Sequence, residues 1–178
     1  MTEPEMRELK GEMCPFCQTK NLTLTESEMD IPFFGKVFVF TMACSKCKHH
    51  KSDVEAAEQK EPAQYALEIT SAKDMAVRVI RSSEGTILLD GIGSMTPGED
   101  AQGFVTNVEG ILVRMRDQVE FLRDHEEDEG DKAKAQAHID RINRVIAGNE
   151  KLLLTVKDPT GNSAIISDRA VKKKLGRA

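Results

Sequence analysis

The segments Cys14-Pro15-Phe16-Cys17 and Cys44-Ser45-Lys46-Cys47 contain the only four cysteines of this 178-residue chain. Two residues separate the cysteines of each pair, a spacing that lets both thiolates face one metal ion across a tight turn. Two such turns complete the tetrahedral sulfur shell of a structural zinc site. We therefore predict that the chain binds zinc through Cys14, Cys17, Cys44 and Cys47, and that the filled shell leaves no position for water or substrate.

Paired cysteines also occur as disulfides and as redox-active dithiols. The amino terminus has no basic flank followed by an apolar run, so no secretion signal points to an oxidising compartment. Zinc is therefore favoured over both alternatives. Gln18 and Lys48 follow the second cysteine of each pair, where many knuckles carry glycine to ease the turn. The geometry of these two turns stays open.

The length of the chain allows one ordinary domain plus a small module. No stretch approaches the ~20 apolar residues of a membrane span, so we expect a cytoplasmic protein.

The net charge of -5 argues against a protein that coats nucleic acid along its whole surface, because phosphate binding requires clustered basic residues. A local basic patch around the second knuckle, with Lys46, Lys48 and Lys51, leaves nucleic acid open as an alternative partner.

The two cysteine pairs lie within a module that we assign to residues 1–58. The run Val37-Phe38-Val39-Phe40 predicts a strand that leads into the second knuckle. Because 26 residues lie between Cys17 and Cys44, the module requires long strands or an extended hairpin tip. Phe38 and Phe40 are expected to pack, either in the module or against the next domain. Phe33 and Phe34, beside a predicted turn, are candidates for partner binding.

Residues 59–178 are predicted to form a second domain, mostly β with an α-helical insertion. Short strands are expected over residues 65–70, 75–80 and 87–90, and again over 152–156 and 164–166. A loop rich in glycine comes directly after the third of these strands. Such short strands separated by turns are typical of a barrel or a rolled sheet.

A helical hairpin is predicted as an insertion at about residues 104–148. Thr106-Asn107-Val108-Glu109 fits a capping box with Thr106 at the N-cap, and apolar residues then keep helical spacing to about Arg123. A second helix is expected over residues 132–147, with Ala135, His138, Ile142 and Val145 on its apolar stripe. The acidic segment between the helices is interpreted as a solvated tip.

Motifs that carry catalysis, such as a phosphate-binding glycine loop, a nucleophile elbow or a paired-carboxylate constellation, do not occur in the sequence. His125 and Glu126 do not have the spacing of a second metal site. We therefore predict that the protein is not an enzyme.

Five segments, taken in order, resemble the ZPR-type zinc-finger family: Cys14-Pro15-Phe16-Cys17, Ile31-Pro32-Phe33-Phe34-Gly35, Cys44-Ser45-Lys46-Cys47, Thr106-Asn107-Val108-Glu109-Gly110 and Asp158-Pro159-Thr160-Gly161-Asn162-Ser163. The resemblance covers nearly the whole chain. It implies a zinc ribbon followed by a small double-stranded β-helix domain that carries a helical hairpin. Because this sequence holds one copy of the ribbon-plus-β unit, it is similar to the short archaeal form of the family rather than to the tandem eukaryotic form.

The resemblance also implies a function. Long family members bind the translation elongation factor GTPase that delivers aminoacyl-tRNA, the elongation factor 1-alpha type, and are implicated in its folding. We therefore expect a non-enzymatic zinc-binding protein that binds, and helps fold, such a GTPase. The alternative is a zinc-ribbon module that binds nucleic acid in the translation or transcription machinery.

Overall fold

The computed structural model describes residues 5–31, 34–58 and 60–175. The amino-terminal part is a four-stranded antiparallel sheet in which the strands lie side by side in chain order. Its strands are β1 (Glu5–Glu12), β2 (Leu22–Ile31), β3 (Gly35–Cys44) and β4 (His50–Ala56). The long β2–β3 hairpin confirms the expectation from the separation of the cysteine pairs, since the two strands pair from Leu22 and Cys44 to Ile31 and Gly35.

The two faces of this ribbon sheet differ because side chains alternate along each strand. Val37 and Val39 point to the face that packs against the rest of the chain, together with Val54 of β4. Phe38 and Phe40 belong to the opposite face, where they are half-buried and their ring centroids lie 6.2 Å apart. Of the two packing sites expected for these rings, the ribbon itself is the one observed.

The remaining strands form two further sheets. A five-stranded sheet has the order β12-β5-β10-β7-β8, and a three-stranded sheet has the order β11-β6-β9. The strands are β5 (Ala63–Ile69), β6 (Arg78–Arg81), β7 (Thr86–Leu89), β8 (Gly93–Met95), β9 (Phe104–Asn107), β10 (Leu152–Asp158), β11 (Ala164–Ile166) and β12 (Val171–Lys174). Buried side chains of both sheets, such as Leu67, Val79 and Leu154, meet in one apolar cluster. The mostly β class is therefore confirmed.

The predicted strand over residues 75–80 is wrong in its first half. Residues Ala72–Ala76 form a 3₁₀ turn, and the strand begins only at Arg78. The cause is Asp74, whose carboxylate accepts hydrogen bonds from the backbone N–H of Thr70 (2.8 Å) and Ser71 (3.1 Å). These bonds curl the chain and bury Met75 in the apolar cluster.

The helical hairpin consists of α1 (Val108–His125) and α2 (Glu129–Ile146). Both helices add buried side chains to the same cluster as the two sheets, among them Leu112 of α1 and Ile142 of α2. The apolar stripe of α2 differs from the prediction, since Ile139 is buried with Ile142 and Val145 whereas Ala135 and His138 are only half-buried. In the part of the chain described, neither helix is long and apolar enough to cross a membrane.

The N-cap of α1 is Asn107 and not Thr106. The Asn107 side-chain oxygen accepts a hydrogen bond from the Gly110 N–H at 2.8 Å, whereas Thr106 stays in β9 and pairs with Val79. The chain therefore leaves the sheet one residue later than the capping-box pattern predicts. Similarly, α2 begins inside the acidic segment, because the Asp128 carboxylate caps it by accepting from the Asp131 N–H at 2.9 Å.

A buried carboxylate organises the turn Asp158-Pro159-Thr160-Gly161-Asn162-Ser163. Asp158 accepts hydrogen bonds from the hydroxyl of Ser82 (2.7 Å), the hydroxyl of Thr160 (2.7 Å) and the hydroxyl of Ser163, and from the Thr160 N–H (2.7 Å). Burial alone would raise the pKa of Asp158, but the donors, with Ser163 first, hold the pKa below its ordinary value. The same turn contacts the ribbon, because Asn162 accepts a hydrogen bond from the Ala56 N–H at 3.2 Å.

Candidate metal centre

The four cysteines converge at the end of the ribbon where β2 begins and β3 ends. Their Sγ atoms all lie within 4.8 Å of one another. Across the two pairs, Cys14 Sγ lies 3.7 Å from Cys47 Sγ, and Cys17 Sγ lies 3.7 Å from Cys44 Sγ. These separations exceed the ~2.05 Å of a disulfide bond, and all four thiols are free. Within residues 5–31, 34–58 and 60–175, this is the one group suited to holding a metal ion.

The two knuckles are built in the same way. In the first, the Gln18 N–H donates to the Cys14 carbonyl at 2.9 Å and the Cys14 N–H donates to the Thr19 carbonyl at 2.9 Å. In the second, the Lys48 N–H donates to the Cys44 carbonyl at 3.1 Å and the Cys44 N–H donates to the His49 carbonyl at 2.8 Å. In each knuckle these hydrogen bonds close a tight turn, and both thiols of the pair lie on the same side of that turn.

The residues that follow the second cysteines adopt left-handed backbone conformations. Gln18 has a φ of 53° and Lys48 has a φ of 62°, and they are the two non-glycine residues with positive φ in the described part of the chain. The conformation costs an L residue other than glycine roughly 1–2 kcal/mol. The sequence leaves the geometry of the two turns open, because glycine does not follow the second cysteine of either pair. In the structure, Gln18 and Lys48 adopt the left-handed conformation that glycine would adopt more easily.

The surroundings of Cys17 and Cys47 shift the pKa values of the two thiols in opposite directions. A hydrogen bond from the Thr19 hydroxyl, 3.1 Å from Cys17 Sγ, is the main cause that lowers the pKa of Cys17 to about 6. At Cys47 the backbone hydrogen bond at His49 acts to lower the pKa, but partial desolvation and the neighbouring thiols outweigh it and raise the pKa to about 12. A divalent cation bound among the four sulfur atoms would favour the thiolate form of all four cysteines, because its positive charge offsets the repulsion between neighbouring thiolates.

The donor set fits zinc on chemical grounds. Four soft thiolates in a tetrahedral arrangement are the shell of structural zinc sites. Zinc bound there would cross-link the loop before β2 to the loop after β3. Cys14 and Cys44 are buried with Leu22 in a small cluster, which is too small to hold this end of the sheet without a cross-link.

Comparison with known proteins agrees with both halves of the structure. Residues 5–62 match the ZPR1 zinc-finger domain, and residues 73–176 match the ZPR1 jelly-roll domain. The chain belongs to the ZPR1 family. The expected zinc ribbon and rolled β domain are therefore confirmed, as is the expected family.

The ZPR1 relatives divide by length. An uncharacterized ZPR1-like protein of Methanocaldococcus jannaschii is 41% identical over 87% of this chain and 79% of its own length. Another, from Pyrococcus horikoshii, is 37% identical over 97% of this chain and 80% of its own length. The zinc finger chaperone zpr1 of Schizosaccharomyces pombe is 27% identical over 76% of this chain but only 30% of its own length. The chain thus corresponds to the short archaeal form.

Of the two candidates for partner binding, the structure describes Phe34. Phe33 lies outside the described residues. Phe34 is buried at the junction of ribbon and β domain, where it shares a cluster with Ile80 and Ala164 and where Lys60 Nζ lies 4.4 Å from its ring centroid. The interpretation of Phe34 as a partner contact is therefore corrected, because its ring is covered by the chain's own residues.

An exposed aromatic side chain lies instead at the tip of the first knuckle. The Phe16 side chain is 71% exposed and stacks on His49 of the second knuckle, with ring centroids 4.3 Å apart and an interplanar angle of 27°. Met13, beside the first ligand candidate, is also exposed. The sequence reasoning missed this surface, although the position of Phe16 between two cysteines that point inward could have indicated it.

Proposed function

We propose that this ZPR1-family protein is a non-enzymatic, cytoplasmic binding protein that uses zinc, held by Cys14, Cys17, Cys44 and Cys47, to present its knuckle surface to a client. The proposed client is a translation elongation factor GTPase of the elongation factor 1-alpha type, which the protein binds and helps fold. The observation that carries the proposal is the Phe16–His49 stack, which joins the two knuckles that hold the four converging thiols and leaves Phe16 exposed. The name of the S. pombe relative, zinc finger chaperone, supports the chaperone class.

The knuckle surface has the chemistry of a client contact. Phe16 and Met13 expose apolar area that nothing in the described chain covers, and exposed apolar groups of this kind favour binding to an apolar partner surface. The metal would fix both knuckles, so the surface is preformed and little ordering entropy is lost on binding. Chaperone activity would follow from covering apolar surface that the client buries only when folded.

The test is capture of the client by the zinc-loaded, tagged chain from lysate of the source organism, followed by mass spectrometry and by binding to the purified elongation factor. We expect enrichment of the elongation factor in at least one nucleotide state. Phe16→Ser should lose the interaction, whereas the matched control Phe121→Ser, which removes an exposed phenylalanine from α1, should retain it. Failure to enrich the factor in the GDP-bound, GTP-bound and nucleotide-free states would contradict the proposal.

Nucleic acid is the second candidate partner, favoured by one observation. The Phe16–His49 stack lies beside Lys46 and Lys48, which are exposed on the second knuckle, and an aromatic ring next to cations is the arrangement that binds single-stranded bases. A salt titration of RNA binding separates the candidates. Affinity that falls steeply with salt and disappears in the Lys46→Glu, Lys48→Glu, Lys51→Glu variant would favour nucleic acid.

A further inference from the structure

A cleft of about 660 Å³ lies between the ribbon and the β domain and plays no part in the zinc site. Two arginines from distant elements line it, Arg81 of β6 and Arg114 of α1. Both guanidinium groups pack on one ring, because the Arg114 Cζ lies 4.6 Å and the Arg81 Cζ 5.5 Å from the ring centroid of Phe104. We call this site the arginine cleft.

The positive charge in the arginine cleft has no paired carboxylate. Arg81 is buried and donates to two backbone carbonyls, those of Gly85 (2.8 Å) and Gln102 (2.9 Å). Among the described residues, no carboxylate oxygen lies within 4.0 Å of either guanidinium. Burial and the nearby Arg114 lower the pKa of Arg81, and the carboxylates of Asp158 and Asp53 partly offset that shift. Arginine nevertheless stays charged, so an anion in the cleft would be stabilised.

The acidic side chains near the cleft are bound elsewhere. Asp117, which lines it, lies 3.4 Å from the guanidinium of Arg116. The Asp53 carboxylate accepts hydrogen bonds from the Ser83 N–H at 2.9 Å and the Ser83 hydroxyl at 2.7 Å. Both carboxylate oxygens of Asp158 accept hydrogen bonds, one from Thr160 and the other from Ser82 and Ser163. In a chain of net charge -5, the cleft is therefore a local positive site.

The walls of the cleft are fixed by close contacts between the ribbon and the loop before β9. The Gly103 N–H donates to the Ser52 carbonyl at 3.0 Å, and the Gln102 side chain donates to the His50 carbonyl at 3.1 Å. A Cβ at Gly103 would lie 2.6 Å from the Val54 nitrogen, so the approach requires glycine. The binding surface is thus preformed.

We propose that the arginine cleft binds the side-chain carboxylates of an acidic protein segment. Its outer edge is open, since His50, Arg114 and Gln118 are exposed, so an extended chain can lie across it. Met95 and Phe104 provide apolar contacts for the methylene groups of acidic side chains, and the helix α1 contributes its middle turns rather than the N-terminus that binds phosphate. The inference deepens the proposed function and rests on it for the owner of the segment, the client protein.

The experiment uses the zinc-loaded full chain and a fluorescein-labelled octapeptide of alternating aspartate and glutamate, measured by fluorescence anisotropy at low ionic strength. We expect binding that weakens with salt and no binding of the matched asparagine–glutamine peptide. Arg114→Glu should weaken binding by at least about tenfold and Arg114→Lys by less, because lysine keeps the charge without the planar fork. The control Lys151→Glu makes the same charge change at an exposed residue outside the cleft and should change affinity by less than about twofold.

Four outcomes would overturn the proposal: no binding of the acidic peptide, equal binding of the neutral peptide, equal weakening by Arg114→Glu and Lys151→Glu, or displacement of the peptide by inorganic phosphate at equal concentration. The last outcome would indicate a small-anion site instead. Circular dichroism of each variant checks its fold. The assay contains no GTPase, so failed client capture with intact peptide binding counts against the proposed function alone, and the reverse result counts against the arginine cleft alone.

Discussion

In the ribbon and in the β domain, polar side chains hold together two chain segments that are distant in sequence. We call these side chains the ribbon anchor and the β-domain anchor, and the two differ in how their negative charge is balanced. The ribbon anchor brings four thiols within 4.8 Å of one another beside a small apolar cluster. The β-domain anchor is one buried carboxylate, Asp158, that contacts Ser82, 76 residues away in sequence. The four thiolates of the ribbon anchor carry negative charge that a bound cation would balance. The negative charge of Asp158 is instead stabilised by hydrogen bonds from neutral hydroxyl and amide groups already present in the chain.

The difference shows how each part obtains its stability. The β domain and helical hairpin share one large apolar cluster, so Asp158 only has to specify the turn that it organises. The zinc-binding end of the ribbon has Leu22 as its one buried aliphatic side chain among the described residues of that cluster. At this end of the ribbon, metal binding can supply the folding free energy that the burial of apolar side chains supplies in the β domain. The two anchors should therefore respond differently to mutation, metal removal and pH.

The largest effect is expected from Cys44→Ser. Losing one thiolate should abolish tight zinc binding, which contributes on the order of 10 kcal/mol to the folded state of small zinc modules. We expect residues 5–58 to lose amide hydrogen-exchange protection while residues 60–175 keep most of theirs, with zinc content measured by plasma mass spectrometry. Ser45→Ala, in the same turn, is the control. A single cooperative loss of both parts would contradict the proposed division at residues 58 and 59.

The second largest effect is expected from Asp158→Ala, which leaves the buried hydroxyls of Ser82 and Ser163, and the hydroxyl and N–H of the exposed Thr160, without their acceptor. We expect a loss of about 3 kcal/mol in the free energy of unfolding of the β domain, measured with urea, and unchanged zinc content. Asp168→Ala, which removes an exposed aspartate from the turn before β12, should cost less than about 0.5 kcal/mol. Equal losses in the two variants would contradict the role of Asp158 as an anchor.

The same anchor predicts a pH dependence. Because the folded-state pKa of Asp158 is lowered, its carboxylate contributes stability that is complete above the unfolded value of about 3.9 and is lost as pH falls through the folded pKa. The wild-type chain should therefore lose this increment on acidification, and Asp158→Ala should not. Urea unfolding of both chains at several pH values measures the difference, because the acid release of zinc from the ribbon is common to the two chains.

A smaller effect is expected at the start of α1. Asn107→Ala should reduce the free energy of unfolding by about 1 kcal/mol because it removes the acceptor for the Gly110 N–H. Thr106→Ala, one residue earlier, should cost less, since Thr106 lies in β9 and does not cap the helix. A larger loss from Thr106→Ala than from Asn107→Ala would restore the capping box predicted from the sequence.

The sequence predicts those parts of the fold that depend on residues close together in the chain. The cysteine spacing indicates the thiol cluster, and the run of β-branched and aromatic residues indicates β3. The strands β1, β4, β8, β9 and β12 went unpredicted, and all five lie at the edge of a sheet. Edge strands are commonly polar and charged, as in Glu5–Glu12 and His50–Ala56, so they show little alternation before their neighbours are known.

The candidate sites divide in the same way. The zinc ligands are close in sequence within each knuckle, so spacing alone predicts them. The arginine cleft depends on Arg81 and Arg114, which lie on a strand and a helix and meet only through the ring of Phe104. The burial of Phe34 likewise depends on Ile80 and Ala164 from the other domain. Contacts of this kind arise from tertiary packing, which no local pattern encodes.

The smallest effect is expected from Lys48→Gly, and it should be a gain. Lys48 holds a φ of 62°, and glycine would relieve roughly 1–2 kcal/mol of left-handed strain while costing about 0.5–1 kcal/mol of backbone entropy in the unfolded chain. We therefore expect the free energy of unfolding of the zinc-loaded ribbon to rise by about 0.5 kcal/mol, measured by hydrogen exchange of β3. Lys46→Gly, in the same knuckle but without positive φ, should instead destabilise the ribbon. If both variants lose stability, zinc rather than backbone preference determines the knuckle conformation.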